Sequence, residues 1–171
     1  MLLGPLAALR LHPRLPPLVL LATALSTIQG CLFSFTVTWL VTDLGLGLIE
    51  AGGVFAAVQA AGVMARLALG WLADRTGRPA FNVVIQAFAA GICLSLFITG
   101  AMGAGLLATT LMAAATGALA ASWNGTIMSE VATLVPREMV GQATAECTLV
   151  IFLGYLVGPT VFALLIGASD S

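Results

Sequence analysis

The chain contains no lysine. Its six basic residues are all arginine (Arg10, Arg14, Arg66, Arg75, Arg78 and Arg137), set against seven acids, and charged residues make up only 8% of the 171. A soluble domain carries roughly 25% charge. So few charged groups cannot cover a water-facing surface, and lipid is the expected solvent. The shortage of base also argues against a nucleic-acid partner, which would need a basic stripe or patch. Histidine occurs once, as His12, and tyrosine once, as Tyr155. The three cysteines (Cys31, Cys93 and Cys147) stand singly in apolar runs without CxxC spacing. That pattern argues against a disulfide framework or a zinc site, and the cysteines read as small buried apolar residues. No catalytic constellation, metal site or cofactor is expected. A membrane enzyme needs His, Asp, Glu, Ser or Cys gathered near the interface, and the single histidine lies outside the apolar runs.

What the chain has in abundance is apolar sequence, 60% of its residues. A helix needs about 20 residues to cross the hydrocarbon core. Five runs meet that length, at about 18–41, 51–69, 80–99, 106–128 and 142–166. The expected fold is therefore all-α, a polytopic membrane helical bundle. A lead-in at 1–17 holds Arg10, Arg14 and four prolines (Pro5, Pro13, Pro16 and Pro17), and a short tail follows at 167–171. The basic lead-in has the look of a signal peptide. The run behind it is too long for an h-region, and no small-x-small cleavage site is evident. Small residues recur every fourth position at Gly53, Ala57, Ala61 and Ala65, and again at Ala113, Gly117, Ala121 and Gly125. Each series lines one helix face and permits close approach of a neighbour. The third run carries Phe81, Phe88 and Phe97 and reads as a lipid-facing helix.

Five spans place alternate connections on opposite sides. The lead-in and the connections near Gly70 and Glu130 share one side and hold every arginine. The positive-inside rule makes that side cytoplasmic, which puts the tail outside. The arginine-only, alanine- and glycine-rich composition fits a GC-rich bacterial gene, hence a bacterial inner membrane.

Charge, glycine and a tight turn coincide only in Gly70-Trp71-Leu72-Ala73-Asp74-Arg75-Thr76-Gly77-Arg78. It reads as a structured loop, Gly70 to Pro79, between the second and third spans. Gly77 permits a backbone turn that other residues resist. Asp74 is expected to accept from amides at a helix start or to pair with an arginine. This stretch resembles the loop signature between the second and third helices of each half of the major facilitator superfamily (MFS). Two other stretches agree. Pro136 through Ala143 looks like the loop before the fifth helix of a half, and Gly154 through Pro159 resembles the glycine-proline signature within it. The match departs in having Pro79 where the signature continues with a basic residue. Family members have two six-helix halves, and the chain resembles helices seven to eleven, the C-terminal half.

The resemblance implies that spans one, two, four and five line a central cavity. Their polar residues become candidates for substrate contact: Gln29, Gln59, Trp123, Asn124 and Tyr155. Each could instead serve only packing or interhelical hydrogen bonding. Arg66 and Glu146 read as lying one to two turns from the cytoplasmic side. They are candidates for gating or proton coupling, or for anchoring by snorkelling or a mutual ion pair. Gly70, Asp74, Arg75, Gly77 and Arg78 carry the loop motif, and Gly154, Gly158 and Pro159 are expected to serve helix packing. Besides lipid, the implied partners are a small organic solute and a second transporter half or a second copy. The implied activity is secondary transport by alternating access. A truncated, non-transporting fragment or one subunit of a split transporter is the alternative.

Overall fold

A computed structural model describes residues 7–169. Residues 1–6 of the lead-in and 170–171 of the tail fall outside the described part. The architecture is helical throughout. A short 3-10 turn (Ala7–Arg10) precedes α1 (Leu15–Thr42), α2 (Leu48–Thr76), α3 (Pro79–Gly100), α4 (Leu106–Ala120), α5 (Asn124–Leu134) and α6 (Val140–Ser169), with a second 3-10 turn at Arg137–Met139. Among the described residues, five stretches are long and apolar enough to cross a membrane, α4 and α5 counting together as Leu106–Leu134.

The helices alternate in direction. One buried cluster joins Leu15 at the start of α1, Val83 near the start of α3, Val135 just beyond α5 and Ala143 near the start of α6. A second joins Leu40, Ala51, Ala101 and Ala113, which mark the opposite ends. The first cluster thus occupies the arginine-bearing end of the bundle. At the other end the Trp39 ring packs edge-on against Phe97 at 5.2 Å. Phe97 is buried, so only Phe81 and Phe88 of the third span face outward as expected.

The stretch Gly70–Thr76 is helix rather than loop, because nothing in it breaks the pattern that α2 has already started. The turn shrinks to Gly77 and Arg78. Gly77 ends α2 in the left-handed region, at φ 61°, where a residue with Cβ is strained. Pro79 opens α3, since its fixed φ suits a first helical turn. Asn82 Nδ2 donates to Thr76 Oγ1 across the turn at 2.7 Å. Asp74 therefore sits in the last turn of a helix, not at a helix start, and is exposed. Arg75 lies over the Trp71 ring, 5.3 Å from its centroid.

Two close seams hold the bundle. The most extensive pairings are α1 with α6 and α2 with α4. On α6, a Cβ at Gly154 would come within 2.8 Å of Thr23 O, and one at Gly158 within 2.6 Å of Thr27 Cγ2. Gly30 of α1 faces the Tyr155 carbonyl at a virtual Cβ distance of 2.7 Å. Pro159 lies inside α6 and has no N–H for the carbonyl four residues back, which is that of Tyr155. The absence of a side chain at Gly30 makes room for that carbonyl. In the second seam, a Cβ at Gly117 would lie 2.6 Å from Val58 O, and Gly62 meets Ala121. The α4 face is thus the expected series Ala113, Gly117 and Ala121, with Gly125 left in the open. On α2 the packed stripe is Val54, Val58 and Gly62, displaced from the expected Gly53, Ala57, Ala61 and Ala65. A β-branched valine opposite a glycine interlocks as closely as two small residues do.

These seams predict that Gly117→Val and Gly154→Val each cost about 1–3 kcal/mol through overpacking. Gly91→Ala, which meets nothing within 4 Å, should leave stability unchanged or slightly raised. Reversible unfolding in mixed detergent and SDS micelles reads both outcomes.

Candidate functional site

The fourth span is interrupted near its middle. α4 ends at Ala120 and α5 starts at Asn124, and Ala121 takes up φ −108°, ψ 1°, away from helical values. The Ala121 N–H still reaches Gly117 O at 3.0 Å, but the ladder lapses beyond it. Serine competes with the backbone ladder by bonding locally, and here the Ser122 hydroxyl donates to Ala118 O. A helix end leaves carbonyls and amides without partners, and within a membrane the protein must supply them.

Three other helices supply partners. From α3, Gln86 Nε2 donates to Leu119 O at 2.7 Å and to Ser122 Oγ at 2.8 Å. From α2, Arg66 Nε donates to Ala121 O at 3.1 Å. Toward α1, Trp123 Nε1 donates to Gln29 Oε1 at 3.1 Å. Ala121, Ser122 and Trp123 are all at least 98% buried. The break is thus a sealed junction in which α1, α2, α3 and the fourth span meet.

The structure brings four of the seven sequence-derived candidates for substrate contact or gating to this junction. Gln29 and Trp123 are bonded to each other. Arg66 holds the Ala121 carbonyl. Asn124, half-buried, is the first residue of α5. Arg66 and Asn124 lie deeper than the sequence suggested. Arg66 stands ten residues before the end of α2 at Thr76, about 15 Å at 1.5 Å per residue. Asn124 is likewise ten residues before Leu134. Both shifts arise because α2 and α5 continue as helix where connections were expected. Gln59 is exposed and lies seven residues before Arg66, so the two share one flank of α2.

Tyr155 is half-buried on α6, its ring 6.1 Å from that of Phe152. Glu146 sits six residues into α6 and accepts from Gln142 Nε2 at 2.8 Å. The two charged candidates engage different partners: Arg66 Nε holds Ala121 O and Glu146 accepts from Gln142 Nε2, and α2 packs chiefly on the fourth span whereas α6 packs chiefly on α1.

Two groups at the junction were missed. Gln86 belongs to the helix read as peripheral, and Ser122 was passed over. A glutamine on a helix otherwise rich in exposed phenylalanine was the available signal, since a polar side chain facing lipid is costly. Ser26 of α1 is also buried, and its hydroxyl has no hydrogen-bond partner. An open groove of about 850 Å³ runs along α6 past Thr144, Thr148, Phe152 and Leu156. It is apolar and contains none of the candidate residues.

Gln86→Leu should destabilise the protein by about 1–3 kcal/mol, because it removes two hydrogen bonds and leaves Leu119 O unsatisfied. Gln86→Glu, which retains shape but cannot donate when ionised, should behave similarly. Unfolding in mixed micelles measures both variants.

In a comparison with protein families, the model of the Major Facilitator Superfamily matches residues 2–166. No curated protein and no solved structure matches. The chain belongs to the Major Facilitator Superfamily, a family of membrane transporters.

Proposed function

We propose that this superfamily member forms one side of a secondary transport pathway, in which a small organic solute binds at mid-depth and is moved by alternating access. The observation that carries the reading is the polar junction around Ala121–Trp123. Gln29, Trp123 and Arg66 converge there at the depth where such transporters hold their substrates. The half-transporter assignment draws support from the helix pairings. Each MFS half contains two inverted three-helix repeats. That symmetry exchanges the first helix with the fourth and the second with the fifth. It therefore exchanges the two main pairings, α1 with α6 and α2 with the fourth span, and both seams carry glycine on each partner.

Gln59 and Asn124 contact the solute from α2 and α5, and Tyr155 does so from α6. Glu146, nearer the arginine-bearing end, serves gating or proton coupling. The chain acts in transport and not as an enzyme. The arginine-bearing end faces the cytoplasm of a bacterial cell, by the positive-inside rule. A second half or a second copy completes the cavity. An inserted but inactive chain is the competing reading, which the same measurement decides.

The test is uptake of organic solutes into lipid vesicles holding the full chain, with the oligomeric state determined in parallel. Saturable uptake that falls at least tenfold with Gln59→Ala supports the proposal. Uptake restored only when an N-terminal-type half is added assigns the chain to a split transporter. No uptake under either condition overturns the transport reading.

A further inference from the structure

Three exposed arginines gather where α1 and α6 begin. The two helices start at the same end of the bundle and form one of its two main pairings. Arg14 immediately precedes α1, and Arg137 stands three residues before α6. Arg10 ends the 3-10 turn that packs against α6. Basic residues at helix starts oppose the helix dipole, whose N-terminal end is itself positive. An anion bound at this corner relieves both the dipole and the repulsion among the arginines.

The open groove of α6 begins at the same corner. It runs from Gly141 to Leu156, about 22 Å of helix, which exceeds the roughly 15 Å hydrocarbon depth of one leaflet. Small residues, Gly141, Thr144 and Ala145, form its upper end, and Phe152 and Leu156 form its deeper end. A Cβ at Gly141 would meet nothing within 4 Å, so the upper end is a recess. Arg137, Gly141 and Ala145 recur every fourth residue and share the groove's flank. Glu138, Gln142 and Glu146 share the next flank, where Gln142 donates to Glu146. An arginine therefore heads the groove, and the carboxylates stand to one side of it. From this juxtaposition we infer that the groove seats an anionic phospholipid, with its phosphate on Arg137 and one acyl chain laid along α6. A zwitterionic lipid offers the same phosphate and chain, but it brings an ammonium group among three arginines. The positive-inside rule makes this the cytoplasmic leaflet, the one that carries anionic lipid. The inference is independent of whether the chain transports a solute.

Native mass spectrometry of the full chain, released from micelles with added dioleoyl phosphatidylglycerol or dioleoyl phosphatidylcholine, counts bound lipids and protein copies together. Phosphatidylglycerol should bind about tenfold or more tighter than phosphatidylcholine. Arg137→Gln should weaken phosphatidylglycerol about fivefold, whereas Arg78→Gln, at the turn between α2 and α3, should leave it unchanged. Gly141→Leu fills the recess without overpacking the bundle and should weaken both lipids. All three positions are exposed, and circular dichroism with size-exclusion profiles checks that the variants keep the fold. Equal binding of the two lipids overturns the inference. So does an Arg78→Gln loss as large as that of Arg137→Gln, which would mean a diffuse field and no site. Unchanged lipid binding in Gly141→Leu removes the groove from the account and overturns it likewise. Displacement of phosphatidylglycerol by an equal concentration of glycerol 3-phosphate assigns the corner to a free phosphate rather than a lipid. A dimer that Gly141→Leu dissociates assigns the groove to a second copy of the chain. Either of these last two results also overturns the inference.

Discussion

In a lipid environment every backbone amide and carbonyl must find its partner within the protein. Continuous helices meet that demand by themselves. An interrupted one cannot, and the interruption at Ala121–Trp123 recruits a side chain from each of α1, α2 and α3. Gln86 and Arg66 satisfy carbonyls that the ladder leaves behind, and Gln29 receives the indole of Trp123. The break thereby determines where three other helices place their polar groups. It also explains why Gln29, Arg66, Gln86 and Trp123 gather in one place although they are scattered along the sequence.

The two seams bring those helices close enough. Gly154 and Gly158 seat α6 on Thr23 and Thr27, both within two turns of Gln29 on the same helix. Gly117 seats α4 on Val58, one turn before Gly62 and two turns before Arg66. Close approach and polar convergence are consequences of one arrangement. Small residues bring the backbones together, and a side chain from one helix can then reach a carbonyl of the next.

Much of this was legible in the sequence. The five apolar runs, the helical class and the family resemblance follow from length, hydropathy and the motif around Gly70. Helix ends were less legible. Hydropathy falls at Gly70 because charge begins there, but hydrogen bonding carries α2 on to Thr76, where Gly77 stops it. The same effect made Arg66 and Asn124 look shallow. The break itself has no proline or glycine pair to announce it. It arises from Ser122 bonding backward and from tertiary partners that a single-sequence reading cannot see. Gln86 was misread for a related reason: periodicity marks the average face of a helix, not one buried glutamine among outward phenylalanines. On α2, small residues suggested one face, and packing chose the adjacent valine stripe.

The central claim is that Trp123 anchors the broken fourth span to α1 through Gln29. Solid-state NMR of the full chain, labelled with 15N-tryptophan in lipid bilayers, tests it most directly. Three indole resonances are expected, from Trp39, Trp71 and Trp123. The account predicts that the Trp123 indole proton exchanges slowly with deuterated water, and that Gln29→Leu shifts its resonance while leaving Trp39 and Trp71 in place. A Trp123 indole that exchanges as readily as that of exposed Trp71, or that is indifferent to Gln29→Leu, would contradict the account.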